Sequence, residues 1–191
     1  MFIRLRENTP GVSPRSFINS TFCLLDVCAP VNINNMENKE LHRISSTAII
    51  YKKDGEVYKY LITRRSLDKK AFPGLWTVPG GGLTVDDYIN LPADSNGQWY
   101  FAVDKSLRRE IKEEVNLEVG DLKYLCDITF IRPDGVPILI LSYYGEYKSG
   151  EVELDADSID HKWATIEEIG DYQLIDGILD EIKMVDEKLI I

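Results

Sequence analysis

Three glutamates, Glu110, Glu113 and Glu114, stand at i, i+3 and i+4 in the run Arg109-Glu110-Ile111-Lys112-Glu113-Glu114-Val115-Asn116-Leu117. On a helix, at about 100° per residue, they fall on one side within roughly 100° of arc. Like charges so placed repel, which a solvated helix tolerates. The same arrangement also gives hard oxygen ligands converging from one rigid surface, as Mg²⁺ or Mn²⁺ requires. Alone, the triplet reads as readily as a solvated acidic face. Its context changes the balance. Gly80-Gly81-Gly82 upstream frees the backbone for close approach to a phosphate, which makes Gly80 and Gly82 candidate substrate contacts. Arg64, Arg65 and Arg109 offer cations, the first two for an anionic substrate.

The elements that must position these residues follow from periodicity. Residues 44–51 and 57–63 read as strands, rich in β-branched and aromatic residues, joined at the turn signal Lys53-Asp54-Gly55 into a hairpin. Leu107, Ile111 and Val115 recur at spacing four, which predicts a helix over 102–115. Strands follow over 124–131 and 136–147, separated by Arg132-Pro133-Asp134-Gly135. An acidic loop carrying Glu151, Glu153, Asp155, Asp157 and Asp160 leads into a short strand over 161–164. Thr165 and Glu168 form a capping-box pattern that opens a short helical turn. The stripe Ile175, Ile178, Leu179, Ile182, Val185 predicts a last amphipathic helix over 172–185. Residues 1–43, broken by Pro10, Pro14, Pro30 and an Asn-rich run, read as an extension, poorly ordered unless docked, ahead of a single domain over 44–191.

Composition narrows the function classes. The chain has 191 residues with 22 Lys+Arg against 32 Asp+Glu, a formal charge of −10. That is the wrong sign for a protein that coats a nucleic-acid backbone, whereas an acidic enzyme can handle an anionic substrate through divalent cations. Three cysteines without a Cys-x-x-Cys pair, and two histidines, argue against a disulfide scaffold or a zinc site. The longest apolar stretch near the N-terminus, 17–31, is interrupted by Asn19, Asp26 and Pro30, too early for a membrane span. The expectation is a reduced, cytoplasmic protein with no membrane partner and a small-molecule substrate, with a homodimer left open.

The glutamate run resembles the second half of the signature of the Nudix hydrolases, G-x5-E-x7-R-E-U-x-E-E-x-G-U with U aliphatic. One position departs: Asn116 stands where the family has glycine, a mild change because asparagine is the next-best residue in the left-handed conformation at a helix C-terminus. In the first half, Gly81 starts the box and Asp87 stands where the family has glutamate. Between Asp87 and Arg109 lie 21 residues instead of seven, an insertion of 14 that contains Trp99-Tyr100-Phe101. Outside the box, Leu61 to Ser66, Gly74-Leu75-Trp76 and Trp163 to Ile169 are similar to segments of the same fold in the same order.

The resemblance implies an α/β/α sandwich around a mixed, curved sheet and Mg²⁺- or Mn²⁺-dependent hydrolysis of a diphosphate linkage in a nucleoside diphosphate joined to another group. It implies Glu110, Glu113 and Glu114 as metal ligands, the Gly81 carbonyl as a further candidate, and Arg109 as the group that orients a box glutamate. Family members often add a carboxylate from the loop before the tryptophan strand, as ligand or base; Asp157 is the first choice, with Asp160 and Glu153 behind it. ADP-ribose or a nucleoside triphosphate is the expected substrate type, and the insertion aromatics could stack on a base. The motif of coenzyme A pyrophosphatases is not seen. Two alternatives stay open. One is a catalytically silent Nudix-like module that binds nucleotides; the other is an isoprenoid diphosphate isomerase, which would want a cysteine near the glycine loop.

Overall fold

Turn chemistry sets the first pair of elements. Strands β1 (Arg43–Asp54) and β2 (Val57–Arg65) pair antiparallel with Asp54 opposite Val57, leaving Gly55 and Glu56 in the connection. Gly55 takes φ +63° there, the left-handed backbone that a two-residue hairpin requires. The computed structural model describes residues 41–190; of the extension expected over 1–43, residues 1–40, including Cys23 and Cys28, lie outside the described residues.

The remaining strands are β3 (Trp76–Thr77), β4 (Gly80–Gly82), β5 (Glu118–Val119), β6 (Lys123–Ile131), β7 (Pro137–Ser149) and β8 (Ser158–Ala164). All eight join one mixed sheet. β1 runs parallel to β7 and antiparallel to β2 and β4, while β8 and β3 pair with β2, and β5 and β6 with β7.

Helices cover both faces because the central strands are apolar on both sides. Ala48, Ile50 and Leu61 pack against Leu107, Ile111 and Val115 of α1 (Ala102–Val115). Ile49, Tyr60 and Ile62, alternating with them, pack against Ile178, Ile182 and Val185 of α3 (Ile178–Ile190) and Ile169 of α2 (Ile166–Ile169). The expected sandwich is therefore present. Replacing Ile182, fully buried in the second cluster, with alanine is expected to cost about 3 kcal/mol, read as a lower urea midpoint at unchanged slope.

α1 matches its predicted span and ends on Asn116 at φ +55°, the left-handed cap expected of asparagine. The capping box is formed: the Thr165 hydroxyl accepts from the Glu168 amide, and the Glu168 carboxylate accepts from the Thr165 amide. The last helix differs. It starts at Ile178 rather than 172, because Gln173 and Ile175 spend their backbone groups on Trp76: the Trp76 amide donates to Gln173 and the Ile175 amide to Trp76. Gly177 then turns the chain at φ +93°. Ile175 keeps its place in the core from this extended segment.

Candidate functional site

The glycine strand β4 carries the site against α1. It pairs with Ser45, Ser46 and Thr47 of β1, so a Cβ on Gly80 would lie 2.2 Å from the Ser46 carbonyl oxygen. On its other side a Cβ on Gly81 would lie 2.2 Å from the Glu110 carboxyl group. Gly80 lets β4 lie this close to the β1 backbone, and a side chain at Gly81 would displace the Glu110 carboxyl group. The Gly80 amide donates to Glu114 Oε2 at 2.9 Å.

Arg109 organises the rest. Its Nε donates to Asp87 Oδ1 at 2.6 Å, one terminal nitrogen to Glu113 Oε2 at 2.6 Å and the other to Glu110 Oε1 at 2.9 Å. Asp87, whose side chain is 2 % exposed, also accepts from the Thr84 amide and the Ser106 hydroxyl. Burial alone would raise its carboxyl group, but these three donors outweigh burial and hold it down to about 2. Asp87 is thus the anchor of Arg109, across the 21 residues that separate them in sequence. That segment folds on itself: Trp99 Nε1 donates to the Leu91 carbonyl, and its ring lies 5.4 Å from that of Tyr88.

A cleft of about 400 Å³ opens beside β4, and Glu110, Glu114, Arg65, Lys69, Arg132 and Asp157 are among its lining residues. Glu114 is the perturbed group. Burial, the adjacent Glu110 and the loop residue Asp155 together push it up to about 7, against the Gly80 hydrogen bond and the Arg65 charge. Burial and the neighbouring Arg132 pull Arg65 down, while Glu114 and Asp157 oppose them. Arg132 itself pairs with Asp134 at 2.8 Å, and its Nε is buried without a partner.

Of the residues singled out in the sequence, Gly80, Gly81, Gly82, Arg65, Glu110, Glu114 and Asp157 meet at this cleft. Glu113 does not line it; it is exposed and held by Arg109. Arg64 does not either, since adjacent strand residues face opposite ways, and its Nε donates to the Gly74 carbonyl. Trp99, Tyr100 and Phe101 lie outside the cleft lining. Asp157 Oδ2 pairs with Lys69 at 2.5 Å. Asp155, Lys69 and Arg132 carried no signal beyond being charged residues in loops or at strand ends.

Among the described residues no three His, Cys, Asp or Glu side chains stand together as a preformed metal cage. The donors nonetheless suit a hard divalent cation: Glu110 and Glu114 present carboxylate oxygens at the cleft, and the like charges that raise Glu114 form a surplus such a cation relieves. Cys126 is the one free thiol among the described residues, and no helix there is long and apolar enough to cross a membrane.

No protein-family model and no curated protein matches the chain. Solved structures do. The Nudix domain of Shewanella oneidensis NrtR, complexed with ADP-ribose, is similar with a TM-score of 0.62 at 19% identity, over 82% of this chain and 95% of that one. The MutT protein of Methanosarcina mazei gives 0.59 at 22% identity, over 80% and 98%. An Ap4A hydrolase of C. elegans gives 0.59 at 16% identity, over 78% and 98%.

Proposed function

We propose that this chain, built on the Nudix fold, hydrolyses a diphosphate linkage within a nucleotide, with Mg²⁺ or Mn²⁺ held by Glu110 and Glu114. The observation that carries the reading is Glu114: a half-buried carboxylate held on the glycine strand, crowded by Glu110 and Asp155, at the wall of a cleft that also holds three arginines. A cation held by Glu110 and Glu114 would neutralise the diphosphate and activate a water for attack. Arg65 and Arg132 line the cleft and supply positive charge for the phosphate oxygens. Asp157 is the candidate to take the proton of the attacking water; Lys69 fixes its Oδ2, and Oδ1 is the oxygen that accepts. Arg109 is a positioning residue, aligning Glu110 and Glu113 while anchored on Asp87. Glu113 joins the ligand set only by exchanging Arg109 for the cation.

ADP-ribose in the Shewanella domain and the Ap4A named for the C. elegans enzyme point to adenine nucleotides with an internal diphosphate as the first substrates to try. The test is a panel assay with Mg²⁺ or Mn²⁺ over ADP-ribose, dinucleoside polyphosphates, NADH, nucleotide sugars and nucleoside triphosphates, with products separated by chromatography. Cleavage at the diphosphate is expected for at least one class; no turnover across the panel would overturn the reading.

Gly81→Ala bears on the metal directly. The new Cβ cannot coexist with the Glu110 carboxyl group at 2.2 Å, so Mn²⁺ affinity by calorimetry is expected to fall at least tenfold. A second reading, nucleotide binding without hydrolysis, is favoured by one observation: Arg109 occupies an oxygen of both Glu110 and Glu113.

A further inference from the structure

The floor of the cleft holds a second carboxyl group that the proposed hydrolysis does not use. Glu181, in the first turn of α3, is 5 % exposed and lines the cleft. Its Oε2 accepts from the Ser142 hydroxyl of β7 at 2.5 Å, and Ser142 Oγ lies 3.0 Å from Thr47 Oγ1 of β1. Ser142 has one proton and gives it to Glu181, so Thr47 must donate to Ser142. The relay therefore runs in one direction, Thr47 to Ser142 to Glu181, and ends on a carboxylate whose second oxygen, Oε1, can only accept.

Apolar side chains share the cleft with this group. Val78, Ile128, Phe130, Ile138 and Ile140 line the same cleft, and burial pushes the Glu181 carboxyl up against the opposing Ser142 hydrogen bond. With Oε2 on Ser142, Oε1 is the oxygen of this carboxylate left to accept from a ligand in the cleft. α3 packs on the sheet face opposite α1, so Glu181 enters the cleft from the side away from Glu110 and Glu114. A flat heterocycle with an N–H donor on its edge fits such a wall: its faces meet aliphatic and aromatic side chains, and its edge meets the carboxylate.

We propose that Glu181 reads the nucleobase, accepting a hydrogen bond at Oε1 from an exocyclic amino group, so that the site selects amino-bearing bases. The inference rests on the nucleotide reading of the same cleft and adds the base preference to it. In Glu181→Gln the amide oxygen takes the Ser142 proton and the NH₂ faces the base, which turns an acceptor into a donor and should move the preference from an amino to a carbonyl group.

The experiment measures equilibrium binding of adenosine, purine-riboside and inosine 5′-monophosphates by calorimetry, in the presence of Mg²⁺, to the full chain and to Glu181→Gln. Purine riboside lacks only the 6-amino group, and inosine replaces it with a carbonyl. The parent chain is expected to favour the adenine compound about tenfold over purine riboside, with that preference lost and the inosine compound favoured in the variant. Ser142→Ala, which removes the relay without placing a new group in the cleft, is expected to weaken the adenine preference and serves if Glu181→Gln does not fold. Equal binding of the three nucleotides by the parent chain, or the same preference in a folded Glu181→Gln, would overturn the base assignment while leaving nucleotide binding intact. Absence of binding by all three would overturn the nucleotide reading and this inference with it.

Discussion

Glu114→Gln is expected to lower the rate of diphosphate cleavage by a hundredfold to a thousandfold, with the fold intact. The reason is geometric and electrostatic together. Glu114 is the carboxylate that α1 presses onto the glycine strand, and glutamine keeps its volume and can still accept from the Gly80 amide. What it loses is the charge. Without a divalent cation the same substitution should stabilise the protein, and the sign follows from the shift. A folded-state value of about 7, above the usual 4.5, means that ionising Glu114 opposes folding. The penalty is absent below about pH 4.5, grows through the interval and is complete above about pH 7. Glu114→Gln should therefore gain up to about 3 kcal/mol over the parent chain at pH 8 in chelator, and little at pH 4, by urea titration. A rate loss joined to a stability gain distinguishes a charge kept for chemistry from one kept for structure.

Asp87→Asn is the second large effect and has the opposite sign. Asp87 is nearly inaccessible and anchors Arg109, so removing its charge leaves a cation short of its best partner and an amide where four donors converge, from Thr84 (amide and hydroxyl), Ser106 and Arg109. A loss of about 2–3 kcal/mol is expected at neutral pH. The depressed carboxyl also gives a pH signature: its contribution is fully present above about pH 4 and is lost as the pH falls toward 2. The gap between the parent chain and Asp87→Asn should thus close by about 2 kcal/mol over that window. Activity should fall as well, because Arg109 released from Asp87 competes more strongly for Glu110 and Glu113.

The parts of this architecture that are local in origin were legible in the sequence. The Asp54-Gly55 turn, the spacing of Leu107, Ile111 and Val115, the Asn116 cap and the Thr165–Glu168 capping box each act within a few residues, and each stands where the pattern places it. Long-range pairing accounts for what was missed. Residues 172–177 carry part of a helical stripe, but the Trp76 backbone claims their hydrogen bonds first. Among the acidic loop residues, Asp155 rather than Asp157 brings its charge against Glu114, a choice set by how the loop closes over α1 and invisible to spacing alone. Glu181 did leave a trace. It lies three residues after Ile178 and four before Val185, on the buried stripe of its helix, where a carboxylate is costly unless it has a partner or a task.

The departures at the candidate site have a common form. Arg64 and Arg65 are equivalent as sequence, but the alternation of a strand sends only Arg65 into the cleft. Glu113 shares a helix side with Glu110 and Glu114, yet it stands at the exposed edge of that side and meets Arg109 instead. Helical spacing fixes which residues share a side; the neighbouring strand decides which of them are buried.

The most direct measurement is cleavage of ADP-ribose by the purified chain, followed as the release of AMP, with Mg²⁺ and then with excess chelator, for the parent protein and Glu114→Gln side by side. AMP is expected from the parent protein with Mg²⁺, none with chelator, and a rate at least a hundredfold lower in the variant. AMP released at the same rate with chelator, or equally by Glu114→Gln, would contradict the assignment of Glu114 to a metal-assisted hydrolysis.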